Sequence, residues 1–419
     1  MFRPTSKAAI GVAAALVLLA VNCAAASANT LFVGSLASPG GDSCGNPGYA
    51  SVQAAITAVE PGGTIEICGG AYKEQLEITK PVTVIGKSNP TILLPEHPAS
   101  SETTCDHERD AARGGEDQDL VSICTTGTVS FERVIFEAKW PEGTCDDSLY
   151  GVLVAGGATL ETNRVTLNGA GAFPINGCQG GVGIQVGFRT GAQVGHAHLI
   201  SDVIENYQKN GVTVDGPGST LVVADTSIVG AGPVAQGQNG IQVSRGADAY
   251  INKATISNNL CNVPQCGYDS AQAWEEDAAG VLLYEAGSFS SVSATKLRGN
   301  NIGVEYVSAS PTLPTSPELS LVDDKISGGN ASVQLNQGNA LLEGDTLSGG
   351  LIGIDVNSYF EEDNSYAPVA TVNDSHISGS QAAIRVEGDL GELPGELSLV
   401  ASRVKGPIVK EDPLYAVSQ

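Results

Sequence analysis

From about Gly151 onward one pattern of small, apolar and polar positions keeps returning. A small residue is followed by apolar, any, apolar, as in Gly151-Val152-Leu153-Val154 and Gly183-Ile184-Gln185-Val186, and the pattern opens again at Gly211, Gly240, Gly280, Gly303, Ser332, Gly353 and Ala383. Alternation of period two marks each as a short strand with one buried face. A second pattern runs between them, an apolar residue with Gly or Asn two positions later. Its members are Leu167/Gly169, Ile204/Asn206, Ile228/Gly230, Ile256/Asn258, Leu297/Gly299, Ile326/Gly328, Leu347/Gly349, Ile377/Gly379 and Val404/Gly406. Gly and Asn take a left-handed backbone at low cost. One tight turn is therefore expected at the same point of every coil.

Strand, turn, strand, loop, with no crossover helix, does not build a βαβ sheet. An antiparallel sandwich or propeller needs hairpin dipeptides between successive strands. Asn210-Gly211 and Asn239-Gly240 are present but open strands of the first pattern. A chain whose coils stack in parallel satisfies both patterns, and long insertions then explain the irregular period. The expected fold class is all-β, a parallel β-helix solenoid over 64–406, with an N-terminal segment and capping helix over 29–63 and a tail over 407–419.

The first residues read differently. Arg3 and Lys7 precede an apolar run from Ala8 to Val21 and the small stretch Ala24-Ala25-Ala26-Ser27-Ala28, the layout of a signal peptide over 1–28 cleaved after Ala28. The run falls short of the roughly 20 apolar residues of a spanning helix, and no later segment approaches that length. The expected location is secreted, extracellular or periplasmic. Cys23 leaves with the signal, and Asn22 before it is not the small residue that lipidation favours. The others, Cys44, Cys68, Cys105, Cys124, Cys145, Cys178, Cys261 and Cys266, are an even set, as bridges in an oxidising compartment require. Proximity pairs them Cys44–Cys68, Cys105–Cys124, Cys145–Cys178 and Cys261–Cys266, although sequence alone does not fix connectivity.

Tyr49, Val52, Ile56 and Val59 fall at helical spacing and Pro61-Gly62-Gly63 ends the segment, so a short helix is expected to cover the open first rung. The stretch from Tyr49 to Gly86, with Gly63-Thr64-Ile65, Tyr72-Lys73-Glu74 and Pro81-Val82-Thr83-Val84-Ile85-Gly86, resembles the opening of pectin-lyase-like β-helix proteins, pectinesterases included. The resemblance implies a right-handed coil with an N-terminal helical cap. It also implies, for the enzymes of that superfamily, a working site on the outer face of one parallel sheet in a groove walled by loops. Beyond Gly151 only the style of the repeat is shared.

A net charge of −25 argues against nucleic acid as a partner. It also disfavours an anionic polysaccharide unless a cation such as calcium bridges the two surfaces. The residue between the apolar pair of each strand points outward, giving the column Leu153, Gln185, Thr213, Gln242, Leu282, Glu305, Gln334, Asp355 and Arg385, with neighbours ~4.8 Å apart. Glu305 and Asp355 then lie two rungs apart, about 10 Å, a spacing that permits the carboxylate pair of an inverting glycosidase. The plainer reading is solvent-facing polar residues with an Asp355–Arg385 cross-strand pair. Arg189 and Arg245, flanking Asp215, are a second candidate cluster, or else arginines that anchor a turn. His196 and His198 share a strand face, but no third metal ligand stands out in the sequence.

Insertions at 95–119, 139–149, 170–180, 231–238 and 259–279 enter at one turn and are expected to pile up as the wall of a groove. They carry Trp140, Tyr268 and Trp274, whose rings suit sugar stacking, or pin the loops. The acidic run Glu275-Glu276-Asp277 suits calcium, or is solvated surface. The expected function is binding of polysaccharide or cell-surface glycan through Gln185, Thr213, Gln242 and these aromatic residues. The alternative is a polysaccharide lyase or glycoside hydrolase. Against it, the Asn-Thr-Asp and Gly-His-Gly motifs of polygalacturonases and the Asp-Pro-His of alginate epimerases are missing.

Overall fold

The structure, a computed structural model, describes residues 30–113, 117–145, 148–175, 177–189, 193–263, 278–308, 314–356, 367–387, 395–410 and 415–419. Its strands stack into three parallel sheets of 14, 12 and 12 strands. Sheet 1 runs from Thr30–Val33 to Ala416–Ser418, sheet 2 from Leu76–Ile78 to Ile408–Lys410, and sheet 3 from Ala71–Lys73 to Arg403–Lys405. Each coil passes from sheet 1 to sheet 3 to sheet 2 before starting the next.

The inward apolar residues form one continuous core. Leu167, Ile204, Ile228, Ile256, Leu297, Ile326, Leu347, Ile377 and Val404 are partners strand to strand along sheet 3, a single row down the axis. Most of the Gly and Asn positions after them take the left-handed backbone expected, with φ from 59° at Asn206 to 132° at Gly406. Gly230 and Gly379 are exceptions. They are small because a Cβ would lie 2.5 Å from Asn258 O and 2.1 Å from Ala382 O, so close backbone approach selects them.

A second left-handed row, between sheets 1 and 3, lacks a glycine signature. Arg133, Arg164, Ser201, Asp225, Lys253, Ala294, Asp323, Gly344, Asp374 and Ala401 occupy it with φ between 46° and 72°.

Helix α1 spans Val52–Ala58 and buries Val52, Ala55 and Ile56 on the first rung. Ser51 caps it, accepting from Ala54 N–H, and Glu74 accepts from the N–H groups of Val52 and Gln53 at 2.8 and 3.0 Å, satisfying donors that a helix start leaves open. Tyr49 lies outside the helix, bridged to Val33.

Strands also lie outside the span 64–406 expected for the solenoid. Thr30–Val33 already pairs with Thr64–Ile67 in sheet 1, so the solenoid starts before its cap. Ile408–Lys410 and Ala416–Ser418 add strands to sheets 2 and 1, so the described residues after 407 continue the stack. Each open edge accepts another strand whatever its side chains, and the buried Tyr415 anchors this one by donating to Pro368 O at 3.0 Å.

The first insertion holds a helix that the pattern of apolar residues did not predict. Helix α2, Thr104–Arg113, directs an arginine inward in place of a hydrophobe. The fully buried Arg109 donates twice to Asp119, at 2.9 and 2.8 Å, and to Asp110 at 2.7 Å. Its guanidinium lies 5.3 Å from the ring centre of Tyr150. No helix among the described residues is long and apolar enough to cross a membrane.

Candidate functional site: the outer face of sheet 2

The column expected from sequence stands on sheet 2. Leu153, Gln185, Thr213, Gln242, Leu282, Glu305, Gln334, Asp355 and Arg385 are register partners in that order. It is not a solvent-facing row. Leu153 and Asp355 are wholly buried, Gln185, Thr213, Glu305 and Gln334 are 4–7% exposed, and Gln242 and Leu282 are half-buried.

Extended strands along one side account for part of this cover. On the sheet 3 side, Thr166–Ala172 continues beside Ile135–Trp140 past a register shift after Asn168, and Ser227–Val234 runs beside Thr255–Cys261 past a shift after Val229. Such bulges bend a strand and re-aim the residues beyond the bend. Helix α2 closes the column at its N-terminal end, where Asp106 accepts from Ser122 Oγ at 2.7 Å. Tyr150, Leu153, Ala155, Phe188 and Cys105 pack beneath it as a separate apolar cluster.

The middle of the floor is a net of neutral polar groups. Asn239 Nδ2 donates to Asn210 Oδ1 at 3.1 Å, and Asn210 Nδ2 donates to Thr213 Oγ1 at 3.0 Å and to Gln242 Oε1 at 2.8 Å. Asn239 Oδ1 accepts from Ala279 N–H at 3.1 Å. Gln185 Nε2 donates to Gly187 O at 2.7 Å.

Arg189, Asp215 and Arg245 come together at one rim. Asp215 accepts from Arg189 N–H at 2.9 Å, Arg245 Nη1 at 3.0 Å and Ser244 Oγ at 3.1 Å. Three donors fill a buried carboxylate, which fixes the turn. The exposed Arg189 guanidinium approaches Glu285 at 3.8 Å.

Glu305 and Asp355 stand two rungs apart with Gln334 between them, and they differ in kind. Asp355 has no exposed surface and accepts from Arg385 Nε at 3.3 Å, while Arg385 also reaches Glu387 at 2.5 Å. Among the described residues Glu305 accepts a single hydrogen bond, a long one from Asn336 Nδ2 at 3.5 Å. Burial pushes its carboxyl up to about 7 against the opposing influence of Asn336 and Lys209. An inverting pair needs both carboxyl groups free to face one bond, and the Asp355 carboxylate is sealed.

On sheet 1, His196 Nδ1 pairs with Thr220 Oγ1 at 2.8 Å and His198 lies 4.0 Å from Glu161. Among the described residues no cluster of three side chains suits a metal. Trp140 packs on the core, and its ring lies 3.1 Å from where a Cβ on Gly143 would sit, so this tryptophan pins its loop. Tyr268, Trp274, Glu275, Glu276, Asp277 and Cys266 lie outside the described residues. Three bridges form as paired from sequence, Cys44–Cys68, Cys105–Cys124 and Cys145–Cys178, with Cα atoms 5.5, 5.7 and 4.8 Å apart. Cys261 is also disulfide-bonded.

The A-module of the Azotobacter vinelandii mannuronan C-5 epimerase AlgE4 superposes with a TM-score of 0.54 at 13% identity, over 88% of this chain and 94% of that one. The chain has the right-handed parallel β-helix fold. XylC in its complex with xylose is a second similar β-helix, with a TM-score of 0.51 at 10% identity, over 91% of this chain and 86% of that one. At such identities the likeness is one of fold. No family model and no curated protein matches the sequence.

Sequence reasoning missed several parts of this β-helix's floor. Asn210 and Asn239 look in sequence like simple strand openers, yet they hold the amide net together. Asn336, which steadies Glu305, lies one residue beyond its strand, where alternation no longer shows which way a side chain points.

Proposed function

We propose that this β-helix is an exported protein that binds carbohydrate in the groove on sheet 2, at Gln185, Thr213 and Gln242 beside Leu282. The observation that carries the reading is the net joining Asn210, Thr213, Asn239 and Gln242. Amides and hydroxyls held by one another offer donors and acceptors in fixed directions, without the charge that acid–base chemistry on a polymer requires. A floor ordered before the ligand arrives loses little entropy on binding. The half-buried Leu282 supplies an apolar strip against which the C–H face of a sugar ring packs. The net charge of −25 favours a neutral glycan over an anionic one. The names of the similar solved structures, an epimerase of mannuronan and a complex with xylose, agree with carbohydrate as the ligand class. The bridges and the signal-like N-terminus support an exported, oxidising location.

A glycan panel tests the reading. The mature protein is expected to bind a neutral oligosaccharide saturably, and Gln242→Ala to weaken that binding about tenfold, the worth of one charge-free hydrogen bond. Absence of binding across the panel would reject it. Release of unsaturated products or reducing ends, with or without calcium, would transfer the groove to a lyase or hydrolase.

A further inference from the structure

One stretch of the sheet 2 floor departs from the self-satisfied net. In the rungs at Glu305 and Gln334, direct partners across the ladder, one buried oxygen lacks a partner and the neighbouring carboxyl is weakly held. Gln334 donates through Nε2 to Asn336 Oδ1 at 3.3 Å, but its carbonyl oxygen is buried with no hydrogen bond. Glu305 receives Asn336 Nδ2 on Oε1 only, and Oε2 accepts nothing from the described residues. Buried polar groups in native proteins are almost always paired. A buried oxygen without a partner on Gln334, beside a carboxyl with one long contact on the adjacent rung, marks a place that a ligand completes.

We propose that Glu305 and Gln334 form the central subsite of the groove, a hydrogen-bond donor beside an acceptor that together hold one hydroxyl-bearing edge of a neutral sugar. The proposal rests on the carbohydrate reading and deepens it. A sugar hydroxyl both donates and accepts. It gives its hydrogen to Gln334 Oε1 and takes one from the Glu305 carboxylic acid.

The surroundings keep that acid protonated. Leu282 lies on the rung before it, Gln334 on the rung after it and Asn336 at its flank. Lys209, from the turn before Asn210–Asp215, is the charge that acts on it. Asp355 beyond Gln334 is paired with Arg385. Burial between an apolar side chain and amides favours the neutral form. A uronate presented here would meet an acid that ionises against it, so the subsite selects uncharged rings.

The test uses the full mature protein, with carbon-13-labelled glutamate and a panel of neutral hexaoses (xylo-, cello- and manno-) beside hexagalacturonate. The Glu305 carboxyl resonance is expected to titrate near neutrality, and a bound neutral hexaose to raise its midpoint. Affinity should then fall by up to about tenfold per pH unit between the free and the bound midpoints, the slope of one linked proton. Glu305→Gln keeps a donor that does not titrate, so binding should persist with no pH slope. Gln334→Leu should weaken binding at least tenfold at every pH. Thermal midpoints of both variants verify folding. A hexaose that binds equally well from pH 5.5 to 8.5, or that leaves the Glu305 titration unmoved, overturns the subsite and leaves carbohydrate binding standing. Failure of every hexaose at every pH overturns both.

Discussion

Gly299 and Gly303 lie four residues apart and answer opposite demands. Gly299 has φ of 61° with nothing within 4 Å of an added Cβ, so only its backbone matters. Asn206 and Asn258 hold the same place in other coils at 59° and 67°. Gly299→Asn is therefore expected to leave the thermal midpoint almost unchanged. Gly303 lies outside the left-handed region and faces inward, where a Cβ would meet Ile326 Cγ2 at 2.2 Å and Ser332 O at 2.4 Å. Gly303→Ala should destabilise by about 1–3 kcal/mol, the cost of overfilling a packed site, and lower the midpoint by a few degrees. Equal midpoints for the two variants would refute the distinction. The glycine rows were legible because glycine is the cheapest answer to either demand. The row through Arg133, Arg164, Lys253 and Ala294 was not. There the rung's own hydrogen bonds impose the left-handed turn on residues that do not prefer it.

Behind that second turn the coils are linked by an element with no apolar signature. Thr295 N–H donates to Asp324 Oδ1 at 2.7 Å, Asp324 N–H to Asp345 Oδ1 at 2.8 Å, and Asp345 N–H to Ser375 Oγ at 3.0 Å. In an earlier coil Val165 N–H donates to Asp202 Oδ1 at 2.8 Å. Each side chain caps a backbone donor that the corner would otherwise leave unpaired. Burial raises the carboxyls of Asp202, Asp345 and Asp324 to about 6, 7 and 8. Their folded values exceed the ordinary aspartate range near 4, so the stability they confer is complete below that range and drains as pH rises through 6 to 8. Against burial, which raises it, Asp106 is held below its ordinary value by its hydrogen bond with Asp119 and by its hydroxyl partners, and its contribution is constant over that window. The thermal midpoint is expected to fall between pH 5 and 9, and Asp345→Asn to flatten the fall. Exposed Glu60→Gln controls for the general repulsion of an acidic protein. A slope that Asp345→Asn leaves intact would refute the ladder as its source. Helix α2 was illegible for a related reason, since a reading that seeks a hydrophobic stripe passes over a helix whose inward residue is an arginine among aspartates.

At the scale of the whole molecule, the fold was readable because a solenoid writes its core once per coil, and nine repeats of a weak signal make a strong one. The groove was readable only as a register. Strand alternation names the residues of the column, but not the burial of Gln185, Thr213 and Glu305, because what lies over the strands does not repeat. The distribution of bridges leads to the last expectation. Cys44–Cys68, Cys105–Cys124 and Cys145–Cys178 close loops of 24, 19 and 33 residues, each worth about 3–4 kcal/mol in a chain-entropy account. All three lie before sheet 2 reaches Val182–Val186, and the strands from Ile302–Val307 to Ile408–Lys410 contain no cysteine at all. In a stack where each coil touches only its neighbours, stability is local. Reduction should therefore loosen α1, α2 and the first coils while the later coils keep their ladder. Hydrogen exchange followed by mass spectrometry is expected to show protection lost over 44–178 and retained over 302–405. Loss spread evenly along the chain would mean that the coils unfold as one body, and that the bridges brace the solenoid as a whole.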